Sequence, residues 1–496
     1  MPDSPPRSSA LAPLLFVLLA CTVACVAVSS QSLWTDEAET SLMALQPTIQ
    51  GWWHTLYLEH NSNLQLPLYM IYIWGWSRLF GTAEVVMRAA NVPWFLLGLA
   101  ALWHFLRRHP ALRSTTILLY CLHPFVWYYL NEARPYTMQL SGALLVCGSL
   151  FTAIDEPDVP LSSCWWRLFA GGMFILCGSG LLGVIWGIAI TIFLFTLPNF
   201  RESIARSAIP TLAYSIPLFA ALALFYAWTI KEKVGTGTIP MNVPSMFAVF
   251  YEQLGFLGLG PGRNMLRSAA LSALHPYFIP LLLLGIPLAC GLAVAARRSF
   301  GLQQGRLMPI LLLIGIPLIL TFVFSFVRHT RVLGRHFMPM FPFILCAQAY
   351  AILLLWKTGR PLARAAAFLI VAALTLSSLE VRFAFRHSKD DNRAAAVAAA
   401  QSLAQGKIVW WAADRDPAKY YRLPLVFAAL PIVPHSAIWV DKVPSHFAPP
   451  PDQIFFSKPD LFDRTGTLAA YITAHHYIPV ATWQAFTLWQ APALPR

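Results

Sequence analysis

The sequence predicts a polytopic α-helical membrane protein with a small C-terminal α/β soluble domain. Three observations predict it. Of 496 residues, 57% are hydrophobic and only 11% charged, against about 25% charged in an ordinary soluble domain. Apolar stretches near the roughly 20 residues that a helix needs to cross a bilayer recur along the chain. Beyond residue 380 those stretches stop, and charges and prolines mix with short apolar runs. A mean hydropathy of +0.58 excludes a water-soluble globular protein, a disordered chain and a coiled coil. The net charge of +13 would suggest nucleic acid in a soluble chain. In a membrane protein, cytoplasmic loop charge and an anionic, lipid-borne substrate account for it, so no nucleic-acid partner is expected.

The elements follow in order. Spans are expected at Leu11–Val28, Ala89–Leu106, Ser114–Tyr129, Tyr136–Ile154, Ala208–Thr229, Ala273–Ala295, Met308–Phe326, Phe337–Trp356 and Ala365–Leu379. Trp165–Leu197 reads as two short helices broken near Gly178-Ser179-Gly180, which brings the total to eleven. Leu66–Phe80 is apolar and aromatic but short, and Pro67 opens it; it reads as a helix lying on the outer interface. With the N-terminus cytoplasmic, 13 Lys and Arg fall inside against 10 outside within the membrane region, the expected sign of the positive-inside bias. All eight cysteines lie in or beside apolar segments, and no CxxC metal knuckle is present.

Residues 1–380 are thus read as the membrane domain and 381–496 as an extracytoplasmic α/β domain. Within the latter, Asp390–Gln405 reads as a helix stopped by Gly406, and Lys407–Ala412 as a buried strand. Strands are expected at Ala437–Val440, Gln453–Phe456 and near Ala485–Trp489, with a helix over Thr465–His475.

Two outer loops carry acids. The first reads Trp34-Thr35-Asp36-Glu37-Ala38-Glu39. Three carboxylates in four positions repel one another unless a metal, a lysine or a shared proton offsets them. The arrangement suits a general base taking a proton from a hydroxyl; a helix start with Thr35 as N-cap explains the same residues. The second loop reads Tyr128-Tyr129-Leu130-Asn131-Glu132-Ala133-Arg134-Pro135-Tyr136. Its Glu132, Arg134 and Tyr136 can bind a phosphate or metal and stack a sugar, or form an interfacial aromatic belt with a local ion pair.

Taken together, Asp36-Glu37-Ala38 after the first span, Pro67-Leu68-Tyr69, Phe80-Gly81 with Glu84 and Arg88, and the Tyr128–Tyr136 run resemble one family. It is the GT-C integral-membrane glycosyltransferases of the protein O-mannosyltransferase and lipid A aminoarabinose transferase group. The resemblance implies a GT-C fold with juxtamembrane helices in the first outer loop. It also implies a sugar carried on a polyprenyl phosphate and delivered to a lipid, glycan or protein acceptor outside the membrane, with inversion. A bacterial-style cell inner membrane follows, with the C-terminal domain periplasmic. The family's catalytic aspartate maps onto Asp36, with Glu37 the adjacent acid, and its second-loop acid maps onto Glu132. Glu39 stands where aminoarabinose transferases carry a basic residue, so that particular sugar and acceptor are not implied.

Transfer from a lipid phosphate also needs cations for the leaving group. Arg263, closing Gly258-Leu259-Gly260-Pro261-Gly262, is one candidate, although a glycine-rich turn explains the run equally well. The cluster Arg328-His329-Thr330-Arg331-Val332-Leu333-Gly334-Arg335-His336 supplies Arg331, Arg335 and His336 as substrate contacts, or else is an inner loop reached by one span more or fewer. Asp36 and Glu132 could offer hard oxygens to a divalent metal, but no spacing fixes one. A lipid-pyrophosphate-dependent glycan ligase or polymerase and a transporter or flippase are the alternatives. The second would place ionisable groups at mid-membrane depth, whereas this chain keeps them at span ends.

Overall fold

A computed structural model describes residues 11–232, 242–302, 304–329, 332–427, 433–440 and 450–492. Its chain forms two compact units. One comprises Met1–Val28, Trp53–Ile73 and Arg88–His387; the other gathers Ser29–Trp52, Trp74–Met87 and Ser388–Arg496.

Among the described residues the regular structure of the first unit is all helical, and the chain is a multi-pass membrane protein by its helices. Seven of the described helices are long and apolar enough to cross a bilayer: Glu84–Phe105, Tyr136–Asp155, Arg206–Lys231, Ala270–Ser299, Ile310–Val327, Gly334–Lys357 and Pro361–Phe383. Shorter apolar helices at Leu11–Ala27 and Leu182–Phe195, with Pro110–Leu122 and Ser163–Gly178, lie where further spans are expected. The break after Gly178 falls at the glycines named above. Where two of these helices cross, they touch backbone to backbone. A Cβ on Gly142 would stand 2.6 Å from the Leu176 nitrogen, and one on Gly172 2.7 Å from Leu145 Cβ. Small residues at such crossings let helices meet closely without a hydrophobic driving force between them.

One expected span is not a single helix. Ser114–Tyr129 divides at His123-Pro124 into Pro110–Leu122 and Pro124–Leu130. Pro124 has no N–H to continue the first helix and pushes His123 into an extended conformation (φ −85°, ψ 128°). The His123 side chain then accepts the Phe125 N–H at 3.2 Å, capping the second helix. This break turns the Tyr128–Tyr136 run aside from the membrane helix preceding it. Phe95, Tyr120, Phe125, Tyr129 and Phe341, all essentially buried, form the core beneath it.

The second unit contains a six-stranded mixed sheet. Its strands are β1 (Val409–Ala412), β2 (Leu425–Phe427), β3 (Ala437–Trp439), β4 (Gln453–Ser457), β5 (Ile478–Trp483) and β6 (Phe486–Gln490), in the order β2-β3-β1-β4-β6-β5. β2, β3, β1 and β4 run parallel, while β6 pairs antiparallel with β4 and β5. Central β1 is buried along its whole length, as a strand covered on both faces must be. Alternation sends Trp411 into one core with Ala395, Ala399 and Phe455, and Trp410 into the other with Ile454, Leu468 and Ile472. The two tryptophans therefore pack cores. Asn392–Ala404 is the expected first helix, capped by Asp391, whose carboxylate accepts the Ala394 N–H at 3.1 Å. β2, β5 and the helix Arg415–Tyr420 are additional to the elements read from the sequence.

Candidate active site

In the first unit the second acidic loop is pinned from its own backbone outward. The Asn91 amide donates to the carbonyls of Tyr129 and Leu130, each at 3.4 Å, and to that of Glu132. The Thr137 hydroxyl donates to the Tyr129 carbonyl at 3.0 Å, and Arg134 donates to Asn63 Oδ1 at 2.5 Å. These bonds hold Glu132, fully buried, with its Oε1 3.8 Å from Nη1 of Arg263. The Arg263 guanidinium lies 4.5 Å above the ring of Tyr128, a cation–π contact that fixes its plane.

A second carboxylate completes the cluster. Glu252, on the helix Val243–Gln253, accepts the Tyr129 hydroxyl at 2.9 Å. Burial raises its carboxyl above the ordinary 4.5, against the pull of Arg263, the Tyr129 hydroxyl and Arg335. Neighbouring Gln253 donates to the carbonyls of Gly334 and Phe337 at 3.2 and 2.8 Å. A Cβ on Gly334 would meet Glu252 Oε2 at 2.3 Å, so glycine leaves the carboxylate its room there. Arg335 follows directly, its guanidinium 5.5 Å from the Tyr136 ring. His336 accepts the Leu333 N–H through Nδ1 at 3.0 Å and shapes the same turn. Glu132, Glu252, Arg263, Arg335 and three tyrosines thus form one buried or half-buried polar cluster. Arg331 lies outside the described residues.

The glycine run before Arg263 serves packing. A Cβ on Gly258 would stand 1.8 Å from the Ser377 carbonyl oxygen, and one on Gly262 1.7 Å from that of Arg386. The Gly258 N–H already donates to Ser377 Oγ at 2.9 Å. Arg386 donates to the carbonyls of Gly258 and Gly260 at 2.8 and 3.0 Å. Close approach of two backbones, rather than N–H groups offered to an anion, is what these glycines provide.

In the second unit the first acidic loop enters the helix Thr35–Ala44. Trp34, not Thr35, is its extended cap residue (φ −83°, ψ 173°), because the Glu37 carboxylate accepts the Trp34 N–H at 3.4 Å. Glu37 is fully buried and pairs with Lys389 at 3.0 Å. Asp36 stays partly exposed. Asp414 is its acidic neighbour: burial raises that carboxyl above the ordinary 3.8, against hydrogen bonds from the Asp416 N–H and the Thr35 hydroxyl, and the Asp36 charge pushes the same way.

Among the described residues no three His, Cys, Asp or Glu gather in a way that could hold a metal ion; Glu37 and Glu132 instead face Lys389 and Arg263. Glu252 and Lys389 escaped the sequence reading. The sign of Glu252 was a lone acid on an otherwise apolar 11-residue helix. Lys389 gave no local sign, because its partner is 352 positions away.

No protein-family description and no curated protein sequence matches the chain. Among solved structures it is similar to ArnT from Cupriavidus metallidurans bound to undecaprenyl phosphate, at 15% identity and a TM-score of 0.53, covering 98% of this chain and 99% of that one. The apo state of ArnT gives 15% identity and a TM-score of 0.52 over 96% and 97% of the two chains. At such identity the likeness is one of fold, and it runs through membrane region and tail alike.

Proposed function

From a chain with the GT-C fold of ArnT, we infer an inverting glycosyltransferase that takes its sugar from a polyprenyl-phosphate donor. Its acceptor is a lipid, glycan or protein at the outer face of the cell inner membrane. The N-terminus is then cytoplasmic and the C-terminal α/β domain periplasmic. The observation carrying this reading is the fold, shared over nearly the whole chain with a protein solved bound to undecaprenyl phosphate.

The chemistry follows from this chain's residues. Asp36, partly exposed, takes the proton of the acceptor hydroxyl. The acceptor oxygen bonds to C1 of the sugar as the bond from C1 to the phosphate oxygen breaks, so the anomeric centre inverts. Charge growing on the departing phosphate is met by Arg263 and Arg335, the largest electrostatic task of the step. Glu132 and the tyrosine rings hold Arg263 in its plane. Glu252 above its ordinary titration range carries a proton more readily, and that leaves more of the two arginines' charge for the phosphate. Glu37 serves as a buried anchor beside the base.

The test is Asp36→Asn. The variant should fold and bind undecaprenyl phosphate, yet leave the native acceptor unmodified when mass spectra of envelope glycolipids and glycans are compared with those of a deletion strain. Wild-type turnover by Asp36→Asn would overturn the mechanism. Identical glycolipid and glycan profiles in wild-type and deletion strains would overturn the function.

A further inference from the structure

We propose that Lys389, at the start of the C-terminal stretch, is a positioning residue for Asp36, acting through its ion pair with Glu37. The inference rests on reading Asp36 as the base.

Adjacent residues of an α-helix point about 100° apart around its axis. The direction in which Asp36 points is therefore set by whatever fixes Glu37. That anchor is the Lys389 ammonium, 3.0 Å from Glu37 Oε2, with side chains 8% and 0% exposed. Removing one partner of a buried pair is strongly destabilising, because the other charge is stranded.

Of the other contacts, the Thr35 hydroxyl bonded to Asp414 and the Ala44 carbonyl accepting from Ser77 and Arg78, each at 2.8 Å, hold the two ends of the helix, and three more hold the chain entering it. Leu33 N–H donates to the Tyr421 hydroxyl at 2.8 Å, and Asn392 donates to the Leu33 carbonyl at 2.8 Å. The Arg393 N–H donates to Ser32 Oγ at 3.0 Å. All three fix residues 32 and 33 by backbone or hydroxyl, upstream of the first helical turn. Other charges around the helix are already engaged: Lys458 pairs with Asp390, and Asp416 faces Arg415 and Lys419 at 3.7 and 3.8 Å. Asp414 caps its own helix by accepting the Asp416 N–H at 3.0 Å and also accepts the Thr35 hydroxyl.

The geometry sets the size of the effect. A carboxylate lies roughly 5–6 Å from its helix axis, so a 20° roll moves it about 2 Å. Misplacement by about 1 Å already costs on the order of 100-fold in rate.

The experiment uses full-length protein in lipid vesicles, with a lipid extract of the deletion strain, in which unconsumed donor accumulates, titrated as substrate. Lys389→Met should lower the rate at saturating extract about 100-fold, leave the half-saturating amount unchanged and leave the affinity for undecaprenyl phosphate unchanged. Lys389→Arg, which keeps the cation, should recover most of the rate. A wild-type saturating rate in Lys389→Met overturns the proposal, as does a loss matched by weaker undecaprenyl phosphate binding. If Lys389→Met fails to fold, Lys389→Met/Glu37→Gln removes both buried charges, and a wild-type rate in that variant overturns the proposal equally. Asp36→Asn run in parallel separates the two readings. An active Asp36→Asn removes the base, whereas an inactive one beside a fully active Lys389→Met removes only the role of Lys389.

Discussion

Replacing Arg263 with Met tests the polar cluster most directly. At 3.8 Å and an effective dielectric near 20, two unit charges attract by about 4 kcal/mol. The Arg263 side chain is 36% exposed, so water screens part of that, and a coupling of about 2 kcal/mol to Glu132 is the reasonable value. The assay is a double-mutant cycle over Arg263→Met, Glu132→Gln and the pair, read as apparent melting temperature in detergent at fixed scan rate. Each single change should cost stability, and the double variant should recover about 2 kcal/mol of the summed loss, roughly 4 °C or less in a chain this large. Additivity within about 0.5 kcal/mol would show the two groups to be uncoupled and refute the pairing. The same Arg263→Met protein should bind undecaprenyl phosphate more weakly by about 1.5–3 kcal/mol, the worth of a hydrogen bond to a charged group. Unchanged binding and turnover together would remove Arg263 from the phosphate's surroundings.

Three further outcomes follow from other contacts. Glu252 holds its proton more tightly folded than unfolded, so its contribution to stability is fully present below pH 4.5 and is lost as pH rises through its elevated value. Glu252→Gln should flatten that decline in melting temperature, and a parallel pH profile would contradict it. Gly262→Ala should destabilise by about 1–3 kcal/mol or more, since its Cβ meets a carbonyl oxygen at 1.7 Å. Gly171→Ala, with open space around it, should be neutral or gain up to about 1 kcal/mol, and the two thermal melts should differ accordingly.

Membrane character and most helices were legible because the bilayer imposes a simple rule of length and apolarity. Thus Tyr136–Ile154 was read from sequence and Tyr136–Asp155 found. The tail's β1 and β4 were legible because strands buried on both faces are continuously apolar. β5 was not, since its outward residues expose a pattern that polar context does not mark. The division at His123-Pro124 was hidden inside an unbroken apolar run, although proline's missing N–H was its physical sign. In the site, Glu132 stood out as an acid in an aromatic run between two spans, and Arg263 as the cation closing a glycine run in an outer loop. Their meeting with Glu252 depends on Gly334 yielding space to a carboxylate 82 positions earlier, which no local pattern encodes. Lys389 was invisible for the same reason.

The second unit is sewn from three lengths of chain, and nearly all the membrane helices are made between the second and the third. During synthesis the helix bearing Asp36 must therefore wait, with the acid of Glu37 lacking its cation, until residue 389 emerges at the far end. Pairings so distant along the chain form late. A nascent polypeptide can thus insert its membrane helices before the carboxylate of Glu37 meets the ammonium of Lys389.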